Sequence, residues 1–282
     1  MGSRAKISAV ILLIVTSLLL SSLTSYHDQV SSRAKGLEII VLVDNNASPT
    51  GRLKEAWGIS ILVRTDGTTV LFDAGPDPEV LRHNCEVMGI DLSSVDFVVL
   101  SHEHADHTGG VPYVISRKPG VEIYVPEGFN EDLIRHMTEL GAKVVKLRGP
   151  TKLREDIMTL GPLKGPPAEQ GLLVRGPRGW VLLTGCAHPG IEEMVRKAKD
   201  LTDDLYAVIG GFHLIGASTS RLEGVVKAME DAGVKEVYPI HCSGDEARPF
   251  LRDHLLGVYR DAHVGSVIRW PGDDREAGDS GG

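Results

Sequence analysis

The hydrophobic pattern of the chain consists of short apolar runs that alternate with amphipathic stretches. The short runs, bounded by turn residues, predict β-strands. These predicted strands cover residues 37–43, 57–64, 69–72, 95–100, 121–125, 144–147, 171–174, 180–184, 205–209, 237–240 and 264–270. Apolar residues at helical spacing predict helices, which cover residues 78–88, 127–140, 191–199, 219–232 and 245–256. Residues 150–170 are rich in Pro and Gly, which predicts loops over short strands.

The order of these elements indicates the fold class. Asp66-Gly67 and Pro177-Arg178-Gly179 each lie between two predicted strands and indicate hairpins. Each half of the chain, the second beginning near Thr151, starts with hairpin strands and ends with strands alternating with helices. This order predicts an α/β layered domain, with sheets covered by helices on their outer faces.

The N-terminal segment is a long stretch without charge. Residues 7–26 follow Arg4 and Lys6, a pattern typical of a signal peptide or a membrane anchor, with a buried core helix as the alternative. The predicted organisation is a signal or anchor over 1–26, a linker over 27–36, a globular domain over 37–270 and a disordered tail over 271–282. The expected location is membrane-anchored or exported, or cytoplasmic if the N-terminal segment is a wrongly assigned start.

Composition excludes several classes of protein. The 32 glycines follow no G-X-Y period, so the chain is not collagen-like. A formal charge of −8 argues against a general nucleic-acid binder. Three cysteines without a C-x-x-C pair argue against a zinc finger or a disulfide scaffold. The eleven histidines are many for this length, and their placement points to a metal site.

The strongest chemical signal is SHEHADHTGG at residues 101–110, directly after a predicted strand. It contains four potential metal ligands, which are His102, His104, Asp106 and His107. Imidazole and carboxylate groups suit Zn²⁺, and also Fe or Mn. A loop lets ligands at such short spacing converge on one point. A solvated polar turn is the alternative, which three His and one Asp at this spacing disfavour.

This H-x-H-x-D-H motif resembles that of the metallo-β-lactamase superfamily, over about residues 37–270. The resemblance implies a four-layer αβ/βα sandwich with its site at strand ends between the two halves. It further implies that His102 and His104 bind a first metal, and that Asp106 and His107 bind a second. Asp73, in LFDAG, would orient ligand residues, with a turn Asp as the alternative.

Later strand ends contain the other candidates. By the same resemblance, His188 is the third ligand of the first metal and His241 is the C-terminal ligand. Cys186 stands where many members have an Asp that bridges both metals, and is either a metal ligand or a small buried residue. His213, in GGFHL, is a ligand, a general acid or a substrate contact, or else structural.

Several short motifs, among them LVDNN at 42–46, resemble the superfamily branch that contains the archaeal dihydropterin synthase of methanopterin biosynthesis. The first hypothesis is a hydrolase that uses metal-activated water, with Asp106 orienting the nucleophile and His213 acting as an acid. The second is a synthase that joins a dihydropterin diphosphate to ribofuranosylaminobenzene phosphate, with Asn45 and Asn46 as substrate contacts or turn caps. The third is a metal or ligand sensor without turnover.

These hypotheses share one set of expected ligands. The expected cofactor is one or two zinc ions per chain, with Fe, Mn and Mg as alternatives. The expected partner is a small anionic molecule rather than nucleic acid. Residues 7–26 would bind a membrane if they are not cleaved.

Overall fold

Two β-sheets form the centre of the computed structural model, which describes residues 36–272. Within this range the strands are β1 (Gly36–Val43), β2 (Ser60–Arg64), β3 (Thr69–Phe72), β4 (Phe97–Val99), β5 (Glu122–Pro126), β6 (Lys143–Leu147), β7 (Thr151–Arg154), β8 (Ile157–Thr159), β9 (Leu172–Gly176), β10 (Gly179–Thr184), β11 (Leu205–Gly211), β12 (Glu236–Ile240) and β13 (Val267–Pro271). The α-helices of the same range are α1 (Pro78–Met88), α2 (Ala105–Thr108), α3 (Val111–Arg117), α4 (Glu131–Glu139), α5 (Ile191–Leu201), α6 (Thr219–Asp231) and α7 (Ala247–His254). Short 3₁₀ turns cover Leu92–Ser94 and His241–Ser243.

Each sheet combines an antiparallel part with a parallel part. The first sheet has the order β13-β1-β2-β3-β4-β5-β6, and its strands are antiparallel from β13 to β3 and parallel from β3 to β6. The second sheet has the order β12-β11-β10-β9-β8-β7, and its strands are parallel from β12 to β10 and antiparallel beyond. The predicted sequence of hairpins followed by strand–helix alternation is therefore confirmed in both halves.

Three apolar clusters hold these layers together. In β1, Ile39 and Val41 belong to the cluster between the two sheets, whereas Ile40 and Leu42 pack in the cluster under the helices of the first half. In β10, Leu183 faces the other sheet and Leu182 packs in the cluster of α5, α6 and α7. Alternate side chains of a strand point to opposite faces, so most residues of these strands are apolar because both of their faces are buried.

Local capping signals explain where the observed helix boundaries agree with the predicted ones and where they differ. The predicted helix over 78–88 is confirmed at both ends, because Asp77 accepts hydrogen bonds from the first turn and Gly89 ends the helix in a left-handed conformation. The helix predicted over 127–140 is shorter and begins at Glu131, because the side chain of Asn130 caps it. The last predicted helix, 245–256, is shorter as well and runs over Ala247–His254.

The predictions for the ends of the chain fall outside the described residues. This applies to the signal or anchor over 1–26, to residues 27–35 of the linker and to residues 273–282 of the tail. Between residues 36 and 272, none of the helices has the length and apolarity that crossing a bilayer requires.

The strands that precede the candidate site residues have a common direction within each sheet. In the first sheet β3 and β4 are parallel, so Asp73 and the segment from Ser101 to His107 follow their carboxyl ends. In the second sheet β10 and β12 are both parallel to β11, and they lead into Gly185–His188 and His241. Carboxyl ends of parallel strands gather polar loop residues at one edge of a sheet.

Candidate metal centre

The loop after β4 brings the first histidines together. His102 is completely buried, whereas His104 is exposed and lies at the N-terminus of the one-turn helix α2. The Nε2 atom of His102 is 3.1 Å from Nδ1 of His104. Asp106 and His107 follow on α2 itself. The change from loop to helix therefore turns all four side chains of the motif toward one region.

Asp73 lies beneath this loop and contacts it at three atoms. Its buried carboxylate accepts hydrogen bonds from the backbone N–H and the hydroxyl of Ser101, both at 2.7 Å. Its Oδ2 is also 2.7 Å from Nδ1 of His107. A carboxylate at Nδ1 holds the proton on that nitrogen and leaves Nε2 free to act as a ligand. The Asp73 carboxylate also raises the pKa of His107, against the opposing effect of burial.

The segment after β10 meets this loop at Gly185. A Cβ atom on Gly185 would lie 2.1 Å from Oγ of Ser101 and 3.0 Å from Oδ2 of Asp73, so a larger residue does not fit there. This close approach places the Cys186 sulfur 3.2 Å from Nε2 of His107. The ring of His188 lies 4.7 Å from the ring of His102, centroid to centroid.

A buried carboxylate that no sequence motif indicates holds this segment in place. Glu169 is fully buried, and it accepts hydrogen bonds from the backbone N–H groups of Cys186, Ala187 and His188 at 2.8–2.9 Å. Burial raises the pKa of Glu169 to about 7, although the three donors favour its charged form. Glu169 lies in the Pro/Gly-rich stretch predicted as loop, where hydrophobic periodicity gives no sign of its role.

Gln170, the next residue, bonds to the first half of the chain. Its backbone N–H donates to the Ser101 carbonyl at 2.9 Å, and its side-chain amide donates to the Leu100 carbonyl at 2.9 Å. Glu169 and Gln170 therefore connect the segment that contains Cys186 and His188 to the segment that contains His102. Two adjacent residues thus help to set the separation between these candidate ligands.

His241 follows β12 and is held by the loop after β1. The Asp44 carboxylate accepts a hydrogen bond from the His241 backbone N–H at 2.9 Å, and Oδ1 of Asn45 is 2.9 Å from Nδ1 of the His241 ring. Asn46 donates to Asp44 at 2.7 Å and accepts a hydrogen bond from Arg248. The amides of Asn45 and Asn46, expected at the substrate or in a turn cap, therefore make contacts within the fold that orient His241.

Three groups of side chains in residues 36–272 have potential ligand atoms within 4.8 Å of one another. They are Asp106, His107, Cys186 and His241; His102, Cys186 and His188; and Cys186, His213 and Cys242. Cys186 belongs to all three groups, and His104 adjoins the second through its contact with His102. The sequence-predicted candidates therefore converge, and Cys242 lies beside them.

Two nitrogens of this cluster have no hydrogen-bond partner although they are buried. They are Nε2 of His188 and Nε2 of His241. Oδ2 of Asp106 lies 3.3 Å from the His241 nitrogen, but the two atoms are not aligned as a hydrogen bond. Buried polar atoms without a partner are uncommon in folded proteins, and here both face other potential ligands.

The charge states of three side chains in the cluster favour a cation. Burial, together with the neighbouring imidazoles, lowers the pKa of His102, and burial and His213 lower the pKa of His188 to about 4. Partial burial opposes the charged form of Asp106, yet His241 and His107 lower its pKa to about 2. Neutral imidazoles and a charged carboxylate are the forms in which these side chains bind metals.

His213 lies at the solvent-exposed side of the cluster. Its ring is 4.5 Å from that of His188, centroid to centroid. It is exposed and follows the end of β11. The structure thus brings this residue to the same region as the other candidates, where it can meet a molecule that enters from solvent.

Comparison with known proteins gives the family. A family model described as the beta-lactamase superfamily domain matches residues 68–242. The chain is 27% identical to 7,8-dihydropterin-6-methyl-4-(β-D-ribofuranosyl)-aminobenzene-5′-phosphate synthase of Methanocaldococcus jannaschii, across 84% of this chain and 98% of that protein. It is 26% identical to the solved structure of Tm1679, a metal-dependent hydrolase of the beta-lactamase superfamily, with a TM-score of 0.72 over 83% of this chain and 99% of that one.

A more distant structure shares the fold alone. The metallo-β-lactamase fold protein YhfI of Bacillus subtilis is 17% identical, with a TM-score of 0.62 over 83% of this chain and 99% of that one. The family match covers more than half of the chain and includes the H-x-H-x-D-H motif, Cys186, His188 and His241. The likeness to the archaeal synthase, predicted from short motifs, is also confirmed. On this sequence match and this two-sheet architecture, the chain belongs to the metallo-β-lactamase superfamily.

Proposed function

We propose that the protein is a metal-dependent hydrolase. In this proposal His102, His104 and His188 hold one metal ion. Asp106, His107 and His241 hold a second, and Cys186 lies between the two sets. The observation that carries the proposal is the convergence of these side chains around two buried imidazole nitrogens that have no hydrogen-bond partner.

The donor set fits a transition metal. Neutral imidazole, carboxylate and thiolate groups are the usual ligands of Zn²⁺, and imidazole with carboxylate also suits Fe and Mn. Mg²⁺ prefers oxygen ligands and is a poor match. One metal ion at Nε2 of His188 and a second at Nε2 of His241 would satisfy both unpartnered nitrogens. The second set retains a charged ligand in Asp106, whose pKa is about 2.

A metal bound in such a site lowers the pKa of water and polarises a carbonyl or phosphoryl oxygen. The protein's own groups would then orient the reactants. Asp106, about one-fifth exposed, would accept a hydrogen bond from the attacking water and so align that water with the substrate. His213, exposed beside His188, would donate a proton to the leaving group.

A synthase is the second candidate. The observation that favours it is the similarity to the archaeal synthase, which extends across 98% of that protein rather than across a motif alone. In this case the attacking group is a carbon of an aromatic ring instead of water. The candidate ligands would have the same positions, so the geometry of the ligands does not separate the two reactions. The two candidates act on different substrates, so activity assays separate them.

One protein preparation can test both candidates. We expect the purified full chain to contain one or two equivalents of transition metal by inductively coupled plasma mass spectrometry. We expect turnover in a panel of ester, lactone and phosphodiester hydrolysis assays, or in a coupling assay with a dihydropterin diphosphate and an aminobenzene ribofuranosyl phosphate. His188→Ala should lower both metal content and turnover by at least about tenfold.

The matched control is His136→Ala, because His136 is exposed on α4, outside the cluster. It should leave metal content and turnover unchanged. Bound metal without turnover in any of these assays would overturn both enzymatic proposals and favour the sensor hypothesis. An absence of stoichiometric metal, with or without turnover, would overturn the metal site itself.

A further inference from the structure

Two large apolar side chains are exposed beside the candidate metal centre. Trp57 is 51% exposed and Ile215 is 62% exposed. Both line a cavity of about 410 Å³ that also contacts His241. The Trp57 ring lies 4.8 Å from the His241 ring, centroid to centroid, with an angle of 56° between the planes. Exposed apolar area of this kind is unfavourable in water, at about 25 cal/mol per Å².

The backbone holds both side chains close to the candidate ligands. Ile59, two residues after Trp57, donates its backbone N–H to the Asp106 carbonyl at 3.3 Å. Leu214, directly before Ile215, donates its backbone N–H to the Cys242 carbonyl at 3.1 Å. Trp57 therefore belongs to a segment that is hydrogen-bonded to the segment of Asp106, and Ile215 to one that is hydrogen-bonded to the segment of Cys242. Both side chains line the same cavity.

The charges at this cavity select among possible ligands. The remaining side chains at its rim include Asp245 and Glu246, and no lysine or arginine of the described chain lines it. Arg248 lies nearby, but its guanidinium donates hydrogen bonds to Asp245 and Asn46. Glu246 has no ion-pair partner among the described residues, so an anionic group would be repelled by its carboxylate here. A neutral or cationic group would meet no such repulsion.

We propose that Trp57 and Ile215 form a binding site for an aromatic ring of the substrate, uncharged or cationic, next to His241. The volume is in the range of small-molecule sites and accommodates a single or fused ring. An indole face gives such a ring both apolar area and an offset or edge contact. The inference rests on the proposed function, since it places the ring of the substrate beside a candidate metal ligand. It also differs from the expectation of an anionic substrate, because any anionic part must lie elsewhere in the site.

The binding of four small probes to the purified full chain tests this site without any need for turnover. Benzamide is a neutral ring, benzamidine a cationic ring, benzenesulfonate an anionic ring and cyclohexanecarboxamide a non-aromatic analogue. Saturation-transfer difference NMR measures their dissociation constants. We expect benzamide and benzamidine to bind at least about fivefold more tightly than benzenesulfonate and cyclohexanecarboxamide.

Variants then locate the binding. Trp57→Ala should weaken benzamide binding by at least about fivefold and Ile215→Ala by about threefold, whereas Trp57→Phe should retain most of it. Leu256→Ala is the matched control, because Leu256 is 80% exposed and does not line this cavity. Thermal unfolding of each variant verifies that it folds, and Ile215→Ala keeps the test valid if Trp57→Ala does not fold.

Several results would overturn the aromatic site. One is benzamide binding that is unchanged in both Trp57→Ala and Ile215→Ala, and another is preferred binding of benzenesulfonate. Sedimentation that shows a dimer lost on Trp57→Ala would assign the surface to a second copy of the chain instead. If Trp57-dependent ring binding occurs in a protein that has neither metal nor turnover, the proposed function fails while the ring site remains. If the protein has metal and turnover but does not bind the rings, the ring site fails while the proposed function remains.

Discussion

The side-chain carboxylate of Glu169 accepts the backbone N–H of His188 at 2.8 Å, in a position where Glu169 is completely buried. The same carboxylate accepts the N–H groups of Cys186 and Ala187. A carboxylate that accepts several backbone hydrogen bonds fixes the conformation of the chain that donates them. In this protein it fixes the turn between two candidate metal ligands, Cys186 and His188.

Glu169→Gln should therefore weaken metal binding more than it weakens the fold. The glutamine keeps the size of the side chain, but its NH₂ group must face one of the three N–H donors. Loss of such an orienting partner typically reduces metal affinity by about 10–100-fold. Competition with a chromophoric chelator measures the affinity, and the absorption spectrum of the Co²⁺-substituted protein reports the ligand geometry.

The control for this variant is Glu139→Gln at the end of α4, where the side chain is exposed. It should change neither the affinity nor the Co²⁺ spectrum. If Glu169→Gln lowers thermal stability but the folded protein keeps the wild-type affinity and spectrum, Glu169 has a structural role only.

Cys186→Ser should remove the sulfur-to-metal charge-transfer band of the Co²⁺-substituted protein. The reason is that the Cys186 sulfur lies 3.2 Å from Nε2 of His107 and belongs to all three groups of potential ligands. Cys242→Ser is the matched variant, because Cys242 is also buried but belongs to one of the groups. It should retain the band. A band that survives in Cys186→Ser and disappears in Cys242→Ser would exclude Cys186 as the thiolate ligand.

Gly185→Ala should destabilise the protein by about 1–3 kcal/mol or more, which is the usual range for overpacking. Its new methyl group would lie 2.7 Å from the Ser101 Cβ atom and 2.1 Å from the Ser101 hydroxyl. Urea unfolding measures the change in the free energy of unfolding. In Gly149→Ala the added methyl group meets no atom within 4 Å, so this control should remain close to the wild type. Equal stability of the two variants would contradict the close approach of the two halves at Gly185.

Cys85 should not react with thiol reagents in the native protein at pH 8. It is buried in the core on α1, and burial raises the pKa of its thiol to about 12. The thiolate is the reactive form, and its fraction falls tenfold for each pH unit below the pKa. Mass spectrometry of the Cys85 peptide after labelling measures the reaction. Labelling should become rapid in urea, and rapid labelling of the native protein would contradict the burial of this thiol.

The elements that the sequence predicts correctly are those with a local cause. Helix α1 agrees at both ends because Asp77 and Gly89 are capping signals within its own segment. Strands β1 and β10 are evident as continuous apolar runs because both of their faces are buried. The start of α4 is predicted four residues too early, because the periodicity extends over residues that precede its cap, Asn130.

The residues of the candidate site also differ in whether the sequence reveals them, and for the same reason. His102, His104, Asp106 and His107 stand out because the four lie within six residues of one another. Glu169 does not, because its partners are 17 to 19 residues away and no periodic pattern links them.

By itself the sequence determined the order of the strands and helices, the superfamily motif and the candidate ligands, since each of these depends on residues close together in the chain. The tertiary structure alone decided how these segments meet. Asn45 is an example, because its side chain contacts His241, 196 residues later in the chain. The physical reason is that the site forms where strand ends of two sheets converge, and close packing rather than local propensity determines which distant atoms come into hydrogen-bond range.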